Sequence, residues 1–124
     1  MASRLNLHAE LIAVLASIDV NPQNVYFQPP ESIRLKYPCI IYKQSSGRTR
    51  FADNNPYTFE ELYEVMIIDR DPDTKIPRAV AMHFQQSRNV RNFVHDNLHH
   101  YVFNIYWFHD REEKIDDNQF DEQQ

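Results

Sequence analysis

One glycine, one cysteine and no long apolar stretch in 124 residues remove several function classes at the outset. A phosphate-cradling loop needs several glycines to bring backbone amides against the anion, and Gly47 stands alone. Cys39 has no partner for an intrachain disulfide or a cysteine-rich zinc site. Set in the apolar run 38–42, it reads as a small buried hydrophobe in a chain suited to a reducing compartment. The most apolar N-terminal window, Leu5–Ile18, is broken by Asn6, His8 and Glu10, so it resembles neither a secretory leader nor a membrane span. The expectation is a soluble protein made in the cytosol, with no membrane contact. Basic excess is missing too: Lys and Arg total 13 against 18 Asp and Glu, a net charge of −5. Residues 110–124 hold seven acids and two bases, and residues 1–109 hold eleven of each. The neutral body therefore lacks the stripe of Lys and Arg that a duplex-binding face needs to neutralise phosphates.

What is present fits one domain with an ordinary share of apolar residues. Ser3 suits an N-cap, and Leu5, His8, Leu11, Ile12, Leu15 and Ile18 recur at helical spacing, which predicts a helix ended by Asn21-Pro22. A β-rich run at 24–27 precedes Pro29-Pro30, which confines it to an edge or a loop. Residues 38–44 read as a central strand, apolar on both faces. Residues 45–56 read as a long polar loop, and 57–69 as the longest strand. Asp71-Pro72-Asp73 opens a second helix, predicted over 75–87 on the stripe Ile76, Val80, Phe84. A short strand at 92–94, a turn at Asp96-Asn97 and a strand at 101–108 follow. The expected fold is α+β: a largely antiparallel sheet of four to five strands with two packed helices, in the order α-β-β-β-α-β-β. Residues 1–109 form this domain. Residues 110–124 are an acidic tail, either solvated or ordered on a neighbour through Ile115 and Phe120.

Chemistry has few places to reside. The run His95-Asp96-Asn97-Leu98-His99-His100 offers imidazoles and a carboxylate, a ligand set for a divalent metal and a metal-dependent hydrolase. His95 and His99 have the i, i+4 spacing of helical zinc sites, but Asn97 and the strand after it remove the helix, which favours a polar turn with exposed histidines. Ser45-Ser46-Gly47 lacks the strand–elbow–helix setting of a hydrolase nucleophile. Arg48-Thr49-Arg50-Phe51 pairs bases with an aromatic. Asp53 follows at once, which favours contact with a neighbouring subunit's acids over contact with nucleic acid. The many aromatics from Tyr42 to Phe108 either fill the core or share surface with a partner.

Taken together, several segments resemble the small tail-terminator, or tail-completion, proteins of long-tailed bacteriophages. They are Tyr37-Pro38-Cys39-Ile40-Ile41-Tyr42; Ala52-Asp53-Asn54 with Tyr57; Tyr63-Glu64-Val65 running into Ile68-Asp69-Arg70-Asp71-Pro72-Asp73; Ile76-Pro77; and Asp96-Asn97-Leu98-His99-His100 before Val102-Phe103-Asn104-Ile105-Tyr106. The resemblance covers roughly residues 5–108 and keeps the segment order; the acidic extension after Asp110 departs from it. It implies a structural virion protein without catalysis, cofactor or metal. Such a protein forms a ring, usually a hexamer, on the last ring of the tail tube, and presents a surface that joins the tail to the head connector. DNA passes through the lumen without specific binding. The subunit-interface candidates are Arg48, Arg50, Phe51, Asp53, Asn54, Tyr57, Asp69, Arg70, Asp73, Asp96, Asn97 and His99. The competing readings are a head–tail adaptor or stopper, a His/Asp metal hydrolase, and a monomeric regulator.

Overall fold

The computed structural model describes residues 4–52 and 55–110, except for the side chains of 46–52, 55–60 and 108–110. Helix α1 spans Arg4–Ser17 and buries Leu7, Leu11, Val14 and Leu15. This stripe is rotated from the expected one: Leu5 is exposed and Leu7 takes the core position, while Ile12 and Ile18 pack at the margin. The helix ends before Asn21-Pro22 in a paired C-cap. Val20 N–H donates to Leu15 C=O at 3.0 Å, and Asp19 N–H donates to Ala16 C=O at 3.3 Å. Asp19 holds the left-handed conformation this cap requires, at φ 61°, in a chain with no glycine to spare.

Strand β1 (Val25–Phe27) pairs parallel with β2 (Cys39–Ala52), from Val25 opposite Ile40 to Phe27 opposite Tyr42. Strand β3 (Asn55–Asp69) runs antiparallel to β2 from Cys39 opposite Ile68 to Ala52 opposite Asn55. The expected loop at 45–56 is therefore mostly strand. Its polar residues are paired across a hairpin, and the cross-strand ladder outweighs the weak β-propensity of Ser, Gly and Arg. Asp53 and Asn54 lie outside the described residues.

Helix α2 (Ile76–His83) has Pro77 in its first turn, where a missing amide costs nothing. It is shorter than expected. Phe84 is already extended (φ −104°, ψ 110°), its N–H bonded to Val80 C=O, and Ser87 hydroxyl donates to Phe84 C=O at 2.7 Å. Ser87 then opens strand β4 (Ser87–His95), which is longer than the 92–94 read from the sequence. Strand β5 (Leu98–Asp110) follows after a turn in which Asp96 and Asn97 both take positive φ, 55° and 62°. Two consecutive left-handed residues make the primed two-residue turn that suits a twisted hairpin.

The sheet order is β1-β2-β3-β5-β4, antiparallel apart from the first pair. The α+β class and element order match the expectation. Both helices lie on one face, where Leu7, Leu11 and Val80 meet Ile40, Tyr42, Val65, Ile67 and Ile105 in the core. Cys39, Ile68 and Val102 are buried on the opposite face, so the middle strands are apolar on both sides, as read. No helix among the described residues is long and apolar enough to cross a membrane.

Candidate functional site

The residues singled out as contact candidates fall at two opposite ends of the sheet. Arg48, Arg50, Phe51 and Tyr57 lie in the distal half of the β2–β3 hairpin, where Arg48 is opposite Glu60, Arg50 opposite Thr58 and Phe51 opposite Pro56. A register shift between Arg50 and Phe51 leaves Tyr57 as the extra residue of a bulge, a device that increases local twist. Strand β5 accompanies this half as a third strand, with Thr58 opposite Asp110. Among the residues whose burial is described, the deeply buried positions of these strands run as far as Tyr42, Tyr63 and Ile105, and the strand pairing continues beyond them to Ala52, Asn55 and Asp110.

At the other end, Asp69, Arg70, Asp73, Asp96, Asn97 and His99 gather around the close of β3 and the β4–β5 turn, with Asp69 opposite His99. Two successive side-chain turns shape the chain here. Asp69 Oδ1 accepts from Asp71 N–H at 3.0 Å, and Asp71 Oδ1 accepts from Asp73 N–H at 2.9 Å. The Arg70 guanidinium lies 5.4 Å from the centre of the Tyr37 ring, a cation–π contact that pins the start of β2 to the end of β3. The fifteen residues of β3 separate the two ends. At roughly 3.3 Å per residue that is about 45 Å. The candidates form two groups, not one site, and Asp69 is buried within the second.

The histidine run does not converge. His95 Nε2 sits 3.3 Å from Asp96 Oδ2, with both side chains well exposed. His100 stacks on Phe93 at 4.5 Å, nearly parallel, and its Nδ1 is 3.0 Å from Leu98 C=O. Among the described residues, no three of His, Cys, Asp and Glu come close enough together to hold a metal ion. The Cys39 thiol is fully buried, and burial, reinforced by the charge of Asp69, pushes its pKa up to about 12. Thiolate is scarce there at neutral pH, so Cys39 is a packing residue.

Two features escape a reading of the sequence alone. Arg4, His8 and Tyr42 form a polar knot between α1 and the sheet: Tyr42 hydroxyl bonds His8 Nδ1 at 2.6 Å and accepts from Arg4 Nη1 at 3.3 Å. Burial, with Arg4 beside it, lowers the His8 pKa, so the neutral ring accepts the phenol proton. The one signal for it is the place of His8 on the apolar face of α1. The second feature is a groove of about 620 Å³ on the face away from the helices, between the segment after β1 and β2. Pro29, Pro30, Ile33, Leu35 and Ile41 line it, with Lys43 and Glu31 beside them. The paired prolines hint at an irregular segment but not at the cleft it makes.

Both lateral edges of the sheet are open among the described residues. Strand β1 covers β2 only as far as Tyr42, and Gln28 Oε1 accepts from Gln44 N–H at 3.3 Å. Beyond that point β2 is paired on the β3 side alone. Strand β4 is exposed along nearly all its length, and Arg91 and a bulge at Val90 interrupt its edge. The chain matches no protein-family model and no curated protein.

Proposed function

We propose that the chain is a structural subunit of a long-tailed bacteriophage virion that closes the tail tube as a ring, most simply a hexamer. In this reading it acts by contact, without catalysis or cofactor. One face of the ring seats on the tube protein and the other receives the head connector, in the tail–neck region of the virion. DNA crosses the lumen without specific binding, consistent with the absence of a basic stripe in the sequence.

The observation that carries the reading is the separation of the contact candidates to two ends of one sheet. A ring is a heterologous, closing assembly in which one patch of a subunit meets a different patch on the next. A three-stranded ribbon at one end, and a tightly turned Asp/Arg/His segment at the other, give a single chain two unlike patches. The segment resemblance supplies the tail-tube context.

Tube elongation provides the test. Purified tube protein from the same genome, polymerising in vitro, stops growing at lengths set by the time of addition when this chain is supplied. The chain is then found by labelling at one tube end only. Tubes that elongate unaffected contradict the terminator reading, and a chain that binds the head-side connector but never a tube end is an adaptor or stopper instead.

A further inference from the structure

From the groove beside β2 and the charge of the C-terminal segment, we infer that residues 111–124 dock back onto their own domain, seating Phe120 in that groove, whether or not the chain forms a ring. The floor of the groove is apolar, formed by Pro30, Ile33, Leu35 and Ile41. Three bases surround it, Arg34, Lys36 and Lys43, all exposed and without an ion pair among the described residues, against Glu31 on the lining and Glu64 opposite Lys43 on β3. Segment 111–124 has the complementary composition. It holds six acids and two bases, and Ile115 and Phe120 are its only large apolar residues. Asp116, Asp117, Asp121 and Glu122 flank them, so seating Phe120 on the apolar floor brings carboxylates to the basic rim.

Reach permits this within one chain. Strand β5 ends at Asp110, level with Thr58 and Arg50, while Lys43 is level with Glu64 and Asn104. The path back is six residues along the strands, about 20 Å, and two strand spacings across, about 10 Å. Ten residues from Asp110 to Phe120 span up to about 33 Å when extended. A tether of this length holds the segment at an effective concentration on the order of millimolar, so weak contacts suffice to dock it. Docked there, it lies beside the point where β1 stops covering β2, and it shields the open edge of the hairpin from pairing with other chains.

Disulfide trapping in the full chain tests this. Ser32→Cys, on the exposed rim of the groove, is combined with Gln119→Cys, next to Phe120. The control pairs Gln119→Cys with Met82→Cys, an exposed position on α2 in the opposite layer. Native Cys39 is buried and does not compete. Under mild oxidation the Ser32→Cys pair closes within one chain at least about tenfold faster than the Met82→Cys pair, the factor that a modest binding preference gives. Adding Phe120→Ala, or Arg34→Glu with Lys43→Glu, removes that advantage. Equal rates for the two pairs overturn the inference, as do cross-links that form only between chains.

Discussion

At the residue scale, a chain with one glycine needs other residues for its left-handed positions, and Asp19, Gln28, Asp96 and Asn97 take them. Asp and Asn tolerate that region because their short polar side chains bond to the nearby backbone. The knot of Arg4, His8 and Tyr42 is the other residue-scale device, and it carries a pH signature. His8 has its pKa lowered from 6.5, by burial first and by Arg4 second. The unfolded chain therefore takes up a proton that the folded chain resists. Stability supplied by this site is complete above pH 6.5 and falls as the pH drops from there toward the lowered folded value. Urea titrations at pH 7.5 and pH 5.5 should show a loss of stability at the lower pH, and His8→Gln should reduce that difference. A His8→Gln variant with the full pH dependence would assign the effect to other groups.

At the element scale, the hairpin of β2 and β3 decides how the candidate contacts are presented. Arg48 and Arg50 sit in paired strands, so they are held at fixed heights on a ribbon. The double substitution Arg48→Glu with Arg50→Glu places a second carboxylate opposite Glu60, a like-charge pair that costs about 0.2–1 kcal/mol in a sheet. The fold should survive with a melting temperature close to the parent's, while assembly on tube ends is lost. A variant that no longer folds would show that the distal hairpin is part of the folding core.

The same elements show what is legible in the sequence. The alternation in 38–44 and 57–69, and the Ile76, Val80, Phe84 stripe, are readable because burial writes a period into the sequence. The distal hairpin and the first half of β4 are not. Segment 45–52 is a polar run held in the β2–β3 ladder, and Ser87–Arg91 is held by its ladder with side chains that are largely exposed, so no period marks either as a strand. Helix α2 reads as too long because Phe84 keeps the helical spacing and stays buried after the backbone has turned extended. The contact candidates stand out one residue at a time in the sequence, and only the strand register reveals that they belong to two ends of the sheet.

At the scale of the whole molecule, the proposed subunit carries its contact candidates at two ends of one sheet. The core is a single layer of two helices on one sheet face, with about 45 Å of strand between the two groups of contact candidates. Two unlike patches on one subunit favour a heterologous assembly over a two-fold dimer. The most direct measurement is native mass, by light scattering or mass spectrometry, of the chain alone and in the presence of its tube protein. A ring-forming terminator gives sixfold assemblies, or a monomer that becomes sixfold only on tube ends. A chain that stays monomeric and never joins a tube would contradict the proposed function.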